Sequence, residues 1–300
     1  MLKIAYHPIF KHNLPLGHRF PMSKYELLHQ QLLYEGTCEE TNFFTPGAPD
    51  ETAVLAVHTK EYVRSLKELT LERRAARKIG FPLSEKLVSR EFIITQGTVE
   101  GCSYALDHGI AMNIAGGTHH AYPDRGEAFC LFNDQAIGAR WLLSHTAVKK
   151  IAIIDLDVHQ GNGTAVIFQK EPAVFTFSMH GQSNYPFRKE VSDWDIPLPN
   201  GTKDEEYLDT LKRALPKLID RVKPDFIFYL SGVDILETDK LGKLSCTLHG
   251  CKARDQLVFE AVQKLGIPTQ VSMGGGYSPE IKTIIEAHAN TYRTVKGLYF

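Results

Sequence analysis

Short strand-like stretches, most of them apolar, punctuate the chain at Leu2–Tyr6, Ala111–Ile114, Ile151–Ile154, Ala173–Ser178, Asp225–Leu230 and Thr269–Ser272. Most are rich in Val, Ile, Phe or Tyr and bounded by Gly, Pro, Asn or Asp, which predicts strands. Ile151–Ile154 is continuously apolar, as expected of a strand buried on both faces of a parallel sheet. Beyond it the pattern alternates through Asp155, Leu156, Asp157, Val158 and His159. A strand continuing that far would set Asp155, Asp157 and His159 on one face near its end.

Longer amphipathic stretches separate these runs. Ser23, with Glu26 three residues on, predicts a capping box ahead of the stripe Leu27, Leu28, Leu32 and Leu33. Helical patterns also cover Thr59–Leu69, Ser84–His108, Asn133–Ser144, Thr164–Phe168, Asp204–Val222, Cys251–Leu265 and about Pro279–His288. Gly97 and Gly101 are candidate breaks in the second of these, and Pro216 a candidate bend in Asp204–Val222. His7–Phe20, Thr45–Asp50 and Gly181–Trp194 read as loops. Strands alternating with helices predict an α/β fold with a mostly parallel central sheet flanked by helices. No linker or repeat divides the chain, so residues 1–300 read as one domain.

Composition narrows the picture mainly by exclusion. The formal net charge is −1, so no global basic field points to nucleic acid, although a local basic rim is compatible with that total. The five cysteines are odd in number and contain no CxxC, which indicates neither a disulfide framework nor a thiolate zinc site. MLKIAYHPIF lacks the long apolar core of a signal peptide, and no apolar run approaches the ~20 residues of a membrane span. The expectation is a soluble, cytoplasmic protein.

Four predicted strands run into turns that carry reactive groups: GGTHH, DLDVH, SGVD and GGGY. Strand C-termini in such a sheet point to one edge, where ligands bind, so these turns can converge there. Two carboxylates and an imidazole are competent ligands for a divalent cation, and Asp157, His159 and Asp234 would form a three-ligand site with an open position. Such a set would accept Fe(II), Mn(II) or Co(II). His119 and His120 are proton-transfer candidates, with Asp155 and Asn162 available to orient them. Tyr277, after three glycines, could reach the metal edge and donate to an oxyanion. Taken singly, each residue has an ordinary structural reading: a cap, a core histidine, a turn tyrosine. No Walker A motif occurs, and the GGGY glycines do not follow dinucleotide-fingerprint spacing.

The stretches GGTHHAYPDRGEAFCLFND, IIDLDVHQGNGT, VFTFSMH, SGVDILETDKLG and MGGGYS resemble the zinc-dependent histone deacetylases over nearly the whole chain. HRFPM, DRGEAFC and DILETDKLG, with Asn162 where other branches carry Asp, look most like the class IV branch and its bacterial relatives. The resemblance implies an arginase/deacetylase-like fold and an amidohydrolase acting on acyl-lysine of a protein or peptide. Acetyl and longer fatty acyl groups are both candidates. Its zinc ligands match Asp157, His159 and Asp234. Its catalytic histidine pair matches His119 and His120, with Asp155 and Asn162 behind them, and its carbonyl-polarising tyrosine matches Tyr277. Phe129 and Tyr185 match the walls of the acyl-lysine channel, with Gly117 and Leu241 beside them. A structural potassium ion would sit at Asp155, Asp157, His159, Ser178 and Met179. Ala128 stands where many members have Gly, and its methyl could narrow the channel.

Rival readings use the same residues. A deacylase of polyamines or other small acylated amines would want an acidic gatekeeper, for which Glu127, Asp124 and Glu237 are candidates. A two-manganese ureohydrolase needs more carboxylates than one DxDxH strand offers. A catalytically silent acyl-lysine-binding module would be expected to lack Tyr277 or a histidine, and all are present.

Overall fold

Six of the strands in the computed structural model, which describes residues 1–300, lie on the strand-like stretches: β1 (Lys3–Ala5), β3 (Ile110–Asn113), β4 (Ile151–Asp155), β5 (Val174–Gly181), β7 (Phe226–Leu230) and β8 (Thr269–Ser272). Two others, β2 (Phe43–Phe44) and β6 (Trp194–Leu198), carry no clear strand pattern. β2 is only two residues long. β6 contains Pro197 and lies at the sheet edge, where a missing backbone donor is tolerated. All neighbouring pairs are parallel, in the order β2-β1-β3-β8-β7-β4-β5-β6.

The helices that cover the sheet are α1 (Lys24–Tyr34), α2 (Glu51–Leu55), α3 (Lys60–Lys67), α4 (Arg73–Ile79), α5 (Glu85–His108), α6 (Asp134–His145), α7 (Asn162–Phe168), α8 (Asp204–Val222), α9 (Leu248–Lys264) and α10 (Ile281–Tyr299). The four central strands β3, β4, β7 and β8 are buried throughout; β7 and the first four residues of β4 read as unbroken apolar runs for that reason, whereas β8, TQVS, buries three polar side chains. No helix is long and apolar enough to cross a membrane.

Several local expectations change. Ser23 precedes α1 with helical backbone angles and makes no side-chain cap; Glu26 instead pairs with Lys11 at 2.5 Å. α5 is unbroken at Gly97 and Gly101. Gly97 serves a close approach, since a Cβ there would lie 2.9 Å from the Ala5 Cβ of β1. α8 runs through Pro216 as one helix, and α10 continues past His288 to Tyr299. All five cysteines are free and buried.

The largest correction concerns β4, which stops at Asp155 and does not reach His159. The reason is local. Asp155 Oδ1 accepts from the Asp157 amide at 3.1 Å, and Asp157 Oδ1 accepts from the His159 amide at 2.9 Å. Two successive Asx turns thus claim the amides that a strand would offer to its neighbours. The chain curls, and Asp157 and His159 enter one cluster while Asp155 turns to His119.

Candidate active site

The four strands that carry GGTHH, GGGY, SGVD and DLDVH are consecutive neighbours in space, β3-β8-β7-β4. Their C-terminal turns therefore meet although they are scattered from residue 116 to residue 277 in the sequence.

At the meeting point the donor atoms of Asp157, His159 and Asp234 lie within 4.8 Å of one another, and all three residues are buried. His159 Nδ1 faces both carboxylates, at 3.0 Å from Asp157 Oδ1 and 3.1 Å from Asp234 Oδ2. Backbone donors orient the carboxylates: Gly275 N–H to Asp157 Oδ2 and Val158 N–H to Asp234 Oδ1, each at 2.9 Å. Position 275 must be glycine, because a Cβ there would run into Asp234 Oδ2 and lie 2.8 Å from Asp157 Oδ2. Two buried carboxylates side by side call for positive charge. Burial alone would lower the His159 pKa, but hydrogen bonds to Asp157 and Asp234 outweigh it and raise the value to about 10. Burial and the neighbouring Asp157 push Asp234 up to about 7. Two hard oxygen donors and one imidazole, converging without a Cβ in the way, fit a divalent cation.

The histidine pair sits against this triad, both rings buried and their centroids 4.0 Å apart. His119 Nδ1 bonds Asp155 Oδ2 and His120 Nδ1 bonds Asn162 Oδ1, each at 2.6 Å. Because the Asn162 oxygen only accepts, His120 carries its proton on Nδ1 and keeps Nε2 free. The environments push the two apart. Burial lowers both, but for His119 the charges of Asp155 and Asp157 and the Asp155 hydrogen bond overcome it and raise the pKa. For His120, repulsion from His119 and His159 adds to burial and holds the pKa well below its usual value.

Above the triad a cleft of about 630 Å³ is lined by His120, His159, Tyr277, Phe129, Tyr185 and Leu241, among others. Tyr185 stands edge-on to His120 at 4.9 Å. Ala128 and Phe129 both adopt left-handed backbone angles, φ +45° and +69°, held by amide bonds to the Lys78 and Ile79 carbonyls. Ala128 lines the cleft, so its methyl is at the wall. Gly117 is not along this cleft. It lines a small inner cavity of about 40 Å³ below, with Gly274 and Gly275. Of the acidic gatekeeper candidates, Glu127 lines the cleft; Asp124 and Glu237 do not. Of the five expected monovalent-cation positions, Ser178 of β5 is in register with Asp155 of β4.

Sequence reasoning passed over four supporting residues. Arg254, fully buried on α9, donates to the carbonyls of Gly232 at 2.5 Å, Ser231 at 3.3 Å and Leu156 at 3.4 Å, and pairs with Asp255 at 2.8 Å. It thereby ties the turns of two triad residues together. Asp239 accepts from the Tyr277 amide at 2.6 Å and from the Leu241 and Gly242 amides. Lys24 is fully buried and donates to the Gly274 carbonyl at 3.0 Å; burial lowers its pKa to about 8 although three aspartates pull the other way. The Tyr122 hydroxyl accepts from Asn162 Nδ2 at 3.0 Å, fixing which amide atom faces His120. Lys24 and Arg254 lie in helical patterns where charge normally marks the solvent face, so nothing in the sequence signals their burial. Arg254→Ala leaves Asp255 buried with the Tyr229 and Thr291 hydroxyls but without its counter-charge, and is expected to destabilise the fold by about 3–5 kcal/mol. Denaturant unfolding measures this, and a loss under about 1 kcal/mol would remove Arg254 as the anchor of these turns.

Comparison with known proteins finds relatives over nearly the whole chain. An uncharacterized protein of Picosynechococcus sp. is 42% identical over 99% of both chains. Histone deacetylase 2 of Arabidopsis thaliana is 28% identical over 89% of this chain and 72% of its own length. An acetoin utilization protein AcuC of Staphylococcus aureus is 29% identical over 77% of this chain and 65% of its own. The crystal structure of an HDAC homolog complexed with SAHA superposes with a TM-score of 0.85 at 24% identity, covering 99% of this chain and 84% of that one. An HDAC homolog from Aquifex aeolicus gives 0.83, also at 24% identity and with the same shares of the two chains. These likenesses show that the fold is the expected deacetylase-like one. The histone deacetylase domain matches residues 18–292, a span that contains all four strand-end turns, and the chain belongs to the histone deacetylase family.

Proposed function

We propose that the protein is a zinc-dependent deacylase that hydrolyses the side-chain amide of acylated lysine, acetyl or longer. One observation carries the reading above the others: the donors of Asp157, His159 and Asp234 converge at the floor of an aromatic cleft that His120 and Tyr277 also line. Zinc held by these three residues would polarise the acyl carbonyl and bring the pKa of a water towards about 7. Fe(II), Mn(II) or Co(II) would suit the same donors. Potassium would sit behind them, at Asp155, Asp157, His159, Ser178 and Met179.

The remaining chemistry belongs to the side chains. His120, uncharged and with Nε2 free, takes the proton of the attacking water. The Tyr277 hydroxyl donates to the developing oxyanion. His119, whose pKa is raised, holds a proton for the leaving amine. Two titratable groups driven apart by their surroundings are the usual mark of an acid and base pair. The aromatic walls suit the apolar lysine stem and its uncharged amide. Asn162 at the class IV-like position leaves His120 without a carboxylate behind it.

A polyamine substrate is less well served. Glu127, the acidic residue in the cleft lining, is already engaged by Tyr185 Oη at 2.5 Å and Arg125 Nε at 3.1 Å. The deciding experiment is a hydrolysis panel on zinc-loaded protein with acetyl-, octanoyl- and myristoyl-lysine peptides beside N-acetylated polyamines. Turnover of a lysine peptide that vanishes in Tyr277→Phe supports the reading, and chain length sets the acyl class. Turnover of polyamines alone, or of nothing with metal bound, overturns it.

Asn162→Asp tests the base. His120 must be neutral to act, and a carboxylate at 162 favours its protonated form, so its pKa rises. The acid limb of kcat/KM is expected to move to higher pH by about one unit or more. A limb that stays in place would mean that another group titrates there.

A further inference from the structure

The mouth of the cleft is cationic. Arg19, Lys78 and Lys243 line it, against one anion, Glu127. Glu127 is already matched, by the Tyr185 hydroxyl at 2.5 Å, Arg125 Nε at 3.1 Å and Lys78 Nζ at 3.7 Å. Arg19 stands with its guanidinium 5.0 Å over the Phe129 ring and has no carboxylate partner. Lys243 is held only by a neutral group, the Ser183 carbonyl, at 3.0 Å. Behind the Phe129 wall, α4 reads RRAARKI and adds Arg73, Arg74 and Arg77, all exposed and none in an ion pair. α4 belongs to this wall, because its Lys78 and Ile79 carbonyls accept the Ala128 and Phe129 amides at 2.9 Å and 2.6 Å. Arg19 and Lys243 thus border the cleft unpaired, with the α4 arginines on the helix next to its wall, in a chain whose net charge is −1. The asymmetry is local, and Phe187, 88% exposed at the same mouth, offers an apolar surface beside it.

We propose that this rim selects acyl-lysine segments flanked by acidic residues. Carboxylates on either side of the acylated lysine pair with Arg19, Lys243 and the α4 arginines while the lysine stem enters past Phe129 and Tyr185. Arginine is suited to this, since its planar fork takes a carboxylate through two hydrogen bonds. A basic segment would set its own lysines against cations that have no counter-charge, and like-charge juxtaposition disfavours the wrong partner. The inference rests on the deacylase reading and names its substrate class.

The test uses the zinc-loaded full chain and three acetyl-lysine peptides that differ only in their flanks: Asp/Glu, Ser/Gly or Lys/Arg. At low salt, kcat/KM for the acidic peptide is expected to exceed the neutral one by about tenfold, with the basic one lower still, and the difference in KM. At about 0.5 M salt the three converge, because the rim is exposed and screened. The charge reversal R73E/R74E/R77E is expected to abolish the order. K212E/R213E/K217E, an equal change of net charge on exposed α8 positions that do not line the cleft, is expected to keep it. Equal kcat/KM for the three peptides overturns the inference and leaves the deacylase reading standing. Turnover of none overturns both. A preference that survives the α4 reversal but not the α8 one overturns the local rim. Tighter binding of a single-stranded oligonucleotide than of the acidic peptide, without any peptide preference, also overturns the inference and gives the rim to nucleic acid.

Discussion

Tyr277→Phe is expected to lower kcat by about 10²–10³ while metal content and KM stay near those of the wild type, the usual effect of removing one oxyanion donor. The substitution deletes a single oxygen. The ring keeps its neighbours, Phe20 at 5.9 Å and Phe129 at 6.1 Å, and the backbone keeps its bond to Asp239. Burial first, then the charges of Asp157 and Asp234, push the phenol's pKa well above its usual value, so the hydroxyl remains a donor across the working pH range. Its value is therefore confined to the stage when negative charge develops on the carbonyl oxygen, and such an interaction appears in kcat. Steady-state kinetics with metal analysis of the same sample decides the matter. Retention of activity within about fivefold sinks the oxyanion role, and loss of metal would make Tyr277 structural.

Asp234→Ala is expected to abolish metal retention and, with it, turnover. The side chain is fully buried, one oxygen committed to the Val158 amide and the other turned to His159. Alanine removes a donor to the cation and also orphans that amide, so a second variant separates the two effects. Asp234→Asn can keep the amide acceptor but not the charge. Zinc added to the metal-free wild type is expected to raise its Tm, because a ligand that binds only the folded state stabilises it in proportion to the logarithm of its concentration over Kd. The rise should be absent in Asp234→Ala and reduced in Asp234→Asn. The affinity lost should exceed the 10–100-fold typical of removing a group that merely orients a ligand. Full zinc retention in Asp234→Ala would take Asp234 out of the donor set.

The sequence by itself determined the α/β class, the parallel sheet and the strands that matter. β3, β4, β7 and β8 lie within the sheet and are buried throughout, and burial leaves β4 and β7 as nearly unbroken apolar runs, although β8 buries Thr269, Gln270 and Ser272. The turns GGTHH, DLDVH, SGVD and GGGY were legible for a related reason. Each holds costly polar groups directly after such a run, where only a site or a hydrogen-bond network accounts for them. Edge elements were less legible: β2 is only two residues long, and β6 is half wet and interrupted by Pro197, so neither periodicity nor composition marks them. The alternation through His159 misled because a period of two is also the step of consecutive Asx turns.

Only the tertiary structure decided the rest. It chose β3-β8-β7-β4 as spatial neighbours, an order that depends on crossovers of many residues that no local pattern records. It buried Lys24 and Arg254, which resemble surface charges until carbonyls of distant turns are found around them. It set His119 against Asp155 and His120 against Asn162, the pairing the resemblance implied, and drove the two proton affinities apart by burial and neighbouring charge. Proton affinity is set by what surrounds a group in space, and those surroundings come from four turns spread between residues 116 and 277.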